Sequence, residues 1–147
     1  MQFLTDKLSE LNICWNERPL TEADFYRLCK RFNIRVQEMP LRVSGFYYRV
    51  MGRDFIAIDS RLTGMQKLFV MYHELGHFLF HMPESGATAN FHGVGHKTRY
   101  ENEADAFALC AILPRSELKA LTEHETTDDI THEILESRFA ILERYGL

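Results

Sequence analysis

From Thr63 to Met82 the chain reads as its longest helix, apolar on most sides, and that helix carries His73, Glu74, His77 and His81. A helix that is apolar nearly all round is a buried one. Imidazoles and carboxylates buried with it cost free energy unless they find partners. The fold must therefore enclose this helix and still give its polar side chains something to bind. The most apolar part, Leu68 to Met82, is shorter than the ~20 residues of a bilayer span, so it reads as a core helix. Pro83 ends it.

His73 to His77 spell His-Glu-Leu-Gly-His. On an α-helix positions i and i+4 lie ~40° apart, so both imidazoles leave one face, one turn apart. That separation suits two ligands of a tetrahedral zinc at ~2.0–2.1 Å. Glu74 is offset to one side, where it reaches a water at the metal without being an equal ligand. This is the position of a general base. Zinc lowers the pKa of a water towards ~7 and polarises the scissile carbonyl, and Glu74 takes the proton and passes it to the leaving amine. The bland alternative, two surface histidines on a helix, fits poorly with so apolar a segment.

A catalytic zinc needs a third protein ligand and an open position. The metzincin spacing would require a histidine where Pro83 stands. His81 continues the i+4 series but lies a whole turn further on, and reads as a cap or a packed histidine. The better source is a second helix, expected from about Thr98 to Leu113 and stopped by Pro114, which contains YENEADAFA at 100–108. Glu101 and Asp105 share a face, so one can bind zinc while the other accepts the N–H of a ligating histidine. Glu103 points about 200° from Glu101, and the two cannot both be ligands on a regular helix. Glu101 is preferred, with Asp105 as its supporting carboxylate. Ala104, Ala106, Ala108 and Ala111 point to close helix packing.

Residues 83–99 form a long polar loop with Gly86, Gly93 and Gly95, and loops of that length in a compact domain are usually functional or mobile. The loop is expected to border the cleft and control access to it. Zincins place a donor beside the metal for the oxyanion. His92, His96, Arg99 and Tyr100 are the candidates for that contact or for touching substrate.

The rest of the chain supplies an α+β layout in one domain, 1–147. Thr21 reads as the cap of a helix with Phe25, Leu28, Cys29 and Phe32 on its apolar face. IRVQEM is a strand ended by Pro40, and 45–51 and 54–59 form a hairpin about Met51-Gly52-Arg53. Ser116 and Thr126 or Thr127 look like caps of two short helices, so that about 115–147 forms a C-terminal helical extension.

The net charge is −4, and the excess lies wholly in 115–147, with four basic and eight acidic residues. That disfavours a nucleic-acid partner, which needs clustered Lys and Arg. Three cysteines without a CxxC, and an N-terminus without the pattern of a secretory signal, point to a reducing, cytoplasmic setting.

HELGH followed by YENEADAFALCAILP resembles the ImmA/IrrE family of metallopeptidases. DFIAID ahead of HELGHFLFH, and ITHEILESRFAILERYGL at the C-terminus, extend the likeness over about residues 20–147. The resemblance implies a thermolysin-like zincin, a small three-stranded sheet packed on an active-site helix pair. His73 and His77 would be ligands of one zinc per chain, Glu74 the base and Glu101 the third ligand, although the family pattern alone does not separate Glu101 from Glu103. It also implies an endopeptidase that cuts a protein partner, a helix-turn-helix repressor encoded nearby, with no nucleic-acid or membrane partner. The alternative is a zincin-like binding module that docks and inactivates a regulatory partner without efficient proteolysis.

Overall fold

A computed structural model describes residues 1–81, 99–121 and 129–147. Its elements are α1 (Gln2–Leu11), α2 (Glu22–Arg31), β1 (Ile34–Met39), β2 (Gly45–Val50), β3 (Arg53–Asp59), α3 (Gly64–Phe80), α4 (Arg99–Ile112), α5 (Arg115–Leu121) and α6 (Asp129–Tyr145). The architecture is α+β, as the sequence indicates.

Local signals account for most of the boundaries. The Thr21 side chain accepts the amide of Asp24, and the Asp24 carboxylate accepts the amide of Thr21, a reciprocal capping box that opens α2. Asp24 also draws Arg18 and Arg27 to itself. At the other end Asn33 takes a left-handed φ of 57° and stops the helix. The β2–β3 hairpin turns on Met51 and Gly52, with φ of 50° and 72°. Positive φ at both central residues is the signature of the turn whose twist matches the flanking strands.

The sheet order is β1-β3-β2, with β1 parallel and β2 antiparallel to β3. The central place goes to β3, and Ile56, Ala57, Ile58 and Asp59 are all buried. Alternation in the sequence of β3 separates Ile56 and Ile58 from Ala57 and Asp59, yet both sets are buried: Ala57 pairs between Gln37 of β1 and Phe46 of β2, and Asp59 is bonded by Arg61 and the Leu41 amide. The active-site helix candidate α3 packs on β2, β3, α2 and α4. Its Val70, Met71, Tyr72, Leu75, Phe78 and Leu79 join the core.

Two elements differ from the sequence reading. The sequence reading places its first helix after Thr21, yet α1 forms ahead of it and buries Leu4 and Leu8, one turn apart on one face. The last helix is not short: α6 has 17 residues, the length of α3. It packs on α3 and α4 and buries Ile134, Leu135 and Arg138. Arg138 is held entirely by oxygens of other segments: its Nε donates to the Leu113 carbonyl at 2.7 Å, and its two Nη groups donate to the Leu147 carbonyl at 2.8 Å and to Asn16 Oδ1 at 3.1 Å. Among the described residues no helix is long and apolar enough to cross a membrane.

Candidate metal centre

The site forms where α3 and α4 lie side by side. Contact is close because Gly76 carries no side chain: a Cβ there would lie 3.1 Å from Phe107 Cδ1 and 3.3 Å from Ala104 Cα. With the backbones this near, short acidic side chains on α4 reach the imidazoles on α3.

Three of the sequence candidates converge. His73 Nε2 and His77 Nε2 are 3.1 Å apart. The carboxylate of Glu101 straddles them, with Oε2 3.2 Å from His73 Nε2 and Oε1 3.1 Å from His77 Nε2. Ligand atoms at ~2.0–2.1 Å from a tetrahedral zinc stand ~3.3 Å apart. The three groups therefore sit close to the separations of one face of such a tetrahedron, and they could hold a divalent ion. Asp105 Oδ1 lies 2.9 Å from His73 Nδ1, on the side of the ring away from the cluster.

The electrostatics favour a cation. Burial works against a charged imidazolium, yet the carboxylates of Asp105 and Glu101 beside the ring outweigh it and push His73 up to about 10. Burial likewise opposes ionisation of Glu101, but His73 and His77 hold its carboxyl well below the usual range. Two imidazole nitrogens and a carboxylate that draw in a proton in this way are a donor set suited to zinc.

Glu74 is 2% exposed. Burial pushes its carboxyl up to about 7, against a backbone hydrogen bond from Tyr47 on β2. Its neighbour across α3 is Gly45, the first residue of β2, whose missing Cβ would lie 3.4 Å from Glu74 Cγ. A carboxyl poised near neutrality beside the cluster is suited to accept and release a proton.

Glu103, the other third-ligand candidate, stands apart from this cluster. Its Oε2 is 2.8 Å from His81 Nε2, and its Oε1 accepts Arg99 Nε at 2.7 Å. Burial tends to raise the Glu103 carboxyl, but these two partners keep it below its ordinary value. Tyr100 lays its ring against His81, with centroids 4.4 Å apart. His92 and His96, like all of the loop expected to gate the cleft except Arg99, which opens α4, lie outside the described residues. The sequence reads His81 as a packed or capping residue, and it is both the C-cap of α3 and buried; its link to Glu103 and His77 is what that reading lacks. The signal that could have placed it is the pairing of three histidines four apart on one helix with three acids two apart on the next.

Beside Glu101 and Asp105 opens a cavity of about 390 Å³. Phe69, Val70, Leu109 and Ile134 give it apolar walls, and Gln66 and Glu133 line it with polar groups. The C-terminal helix α6 thus forms part of the rim of the site.

Residues 29–146 match the IrrE N-terminal-like domain, Peptidase_M78. The chain belongs to this family. The likeness read from HELGH and YENEADAFA is thereby established, and with it a metallopeptidase-type family. A curated relative, "Uncharacterized immunity region protein 2" of Bacillus phage phi105, is 32% identical over 108 residues, 71% of this chain and 68% of that protein. No solved structure matches the chain.

Proposed function

We propose that this member of the family is a zinc-dependent endopeptidase with a zincin-like fold, acting in the cytoplasm on a protein partner, a helix-turn-helix repressor. The observation that carries the reading is the meeting of His73 Nε2, His77 Nε2 and the Glu101 carboxylate at 3.1–3.2 Å, with buried Glu74 beside them. His73, His77 and Glu101 would hold the ion, and Asp105 would fix the His73 ring by accepting its Nδ1–H. Zinc held there would polarise a peptide carbonyl and make a water more acidic. Glu74 takes the proton of the attacking water and delivers it to the leaving nitrogen, and the Tyr47 amide holds its carboxylate in orientation. The cavity between α3, α4 and α6 would receive a substrate side chain next to the cleaved bond.

The relative named for a phage immunity region supports a regulatory substrate. Cys14, Cys29 and Cys110 are free, which fits a reducing compartment. The test is to incubate the zinc-loaded protein with a purified repressor encoded beside it and to follow the repressor by mass spectrometry. Two fragments from one cut, absent with Glu74→Gln, are expected. Loss of DNA binding by an intact repressor, equal with wild type and Glu74→Gln, would establish the binding-module alternative instead.

A further inference from the structure

We propose that Glu103 is a positioning residue for His77, acting through His81, so that a carboxylate on α4 sets the tautomer of a histidine on α3 across an intervening imidazole. The inference rests on the reading that His73, His77 and Glu101 hold a metal.

The geometry forms a continuous line. His77 turns Nε2 into the cluster, 3.1 Å from His73 Nε2. Its other ring nitrogen, Nδ1, lies 3.0 Å from His81 Nδ1. The far nitrogen of His81, Nε2, lies 2.8 Å from Glu103 Oε2. The second oxygen of Glu103 accepts Arg99 Nε at 2.7 Å. The line is dry: the side chains of His77, His81 and Glu103 are 2%, 1% and 7% exposed.

The protons on this line can be ordered from its charged end. An ionised carboxylate only accepts, and Arg only donates. Glu103 therefore receives a proton from His81, which places that proton on His81 Nε2. With one proton on the His81 ring, its Nδ1 is a lone pair and must receive the Nδ1–H of His77. That leaves His77 Nε2 as the lone pair facing the cluster, the form a metal ligand requires. With the protons reversed, His77 would present Nε2–H to the metal position and could not bind there.

The arrangement also explains the acid spacing on α4. Asp105 lies 2.9 Å from His73 Nδ1, close enough to orient that ring directly. His77 lies a turn further along α3, and Glu103 serves it through His81. Glu101, Glu103 and Asp105 thus divide the work: one faces the cluster and the other two orient its two imidazoles. Ligand-orienting carboxylates of this kind typically change metal affinity 10–100-fold when removed.

The test compares wild type, Glu103→Gln and Glu101→Ala, using zinc affinity by chelator competition and side-chain ¹⁵N shifts of the zinc-loaded protein at neutral pH. In wild type His81 should be the single Nε2–H tautomer, and the His77 Nδ1 proton should exchange slowly. Glu103→Gln should weaken zinc binding about 10–100-fold, give His81 mixed tautomers and leave the unfolding midpoint nearly unchanged. A purely structural role for Glu103 would not move the tautomer. His81 protonated on Nδ1 in wild type overturns the proposal without any variant. So does wild-type zinc affinity in Glu103→Gln while Glu101→Ala loses the metal, and the site itself then stands. Wild-type zinc binding in Glu101→Ala would remove Glu101 from the ligand set and overturn the relay with it.

Discussion

Gly76 and Ala104 meet where α3 and α4 cross, closer than a side chain ordinarily allows: a Cβ on Gly76 would come 3.3 Å from Ala104 Cα and 3.1 Å from Phe107 Cδ1. The glycine inside HELGH is thus part of the site's construction. Gly76→Ala gains about 1 kcal/mol of helix propensity but forces about 1–3 kcal/mol of overpacking. The net effect expected in urea unfolding is a loss of up to about 2 kcal/mol. Metal affinity should fall further, because separating the helices draws Glu101 and Asp105 away from His73 and His77. A zinc titration matching wild type would show that helix separation is not what assembles the cluster.

The ligand set makes a graded prediction. Metal analysis should find one zinc per chain. His73→Ala, His77→Ala and Glu101→Ala should each abolish stoichiometric zinc, and Asp105→Ala should weaken it about 10–100-fold. Glu74→Gln should retain zinc and fold while losing cleavage. A chelator should remove activity, and added zinc should restore it. Stoichiometric zinc in Glu101→Ala, with loss in Glu103→Ala, would transfer the third position to Glu103.

How far the site could be read beforehand depended on whether chemistry or packing set each residue's place. His73, Glu74 and His77 were legible because a fixed helical period links their sequence spacing to a shared direction. Glu101 was legible only as a preference over Glu103. Both lie on one helix, and which of them faces α3 depends on the rotation of α4, fixed by Gly76 against Ala104 and Phe107. His81 is the capping, packed histidine that its place at the helix end suggests, but its partners, Glu103 at 2.8 Å and His77 at 3.0 Å, become evident only after the helices dock. Helix α2 and the three strands carried local caps and turns in their sequence. Helix α1 carries a stop, Asn12 with a left-handed φ of 52°, but no start: its N-cap Met1 makes no side-chain cap bond, and it is held by burying Leu4 and Leu8. The tertiary role of α6 was hidden for a related reason. Arg138 reads as a surface charge until it meets the carbonyls of Leu113 and Leu147.

The capping box of α2 predicts a pH dependence of stability. Hydrogen bonds from Arg18, ahead of those from Thr21 and Arg27, hold the Asp24 carboxyl well below its ordinary value, although burial opposes this. A depressed folded-state value means that the stabilisation is fully present above the unfolded value of ~3.9 and is lost as pH falls below it. Arg18 and Arg27 are more than half exposed, so screening limits the effect to about 1 kcal/mol. Asp24→Asn should therefore lower stability by about that amount at pH 7 and converge on wild type towards pH 2. Parallel stability curves for the two proteins across that interval would exclude the ion pair as the cause.

Gly45 stands on the opposite side of α3 from Gly76 and should separate catalysis from metal binding. A Cβ there would meet Val70 Cγ1 at 2.8 Å, the Ala57 carbonyl oxygen at 2.9 Å and Glu74 Cγ at 3.4 Å. The first two contacts are too short to persist, so in Gly45→Ala strand β2 must shift away from α3 or α3 must give. Either movement displaces Tyr47, whose amide bonds the Glu74 carboxylate, or Glu74 itself. His73 and His77 face α4, which carries Glu101, and the three lie outside this contact. The variant should bind zinc within a fewfold of wild type and yet lose kcat by about 10²-fold, the scale of a displaced catalytic group. Stability should fall by about 1–3 kcal/mol from overpacking, so activity is measured well below the unfolding midpoint. Parallel loss of zinc and of kcat would mean that β2 supports the whole cluster rather than the base alone.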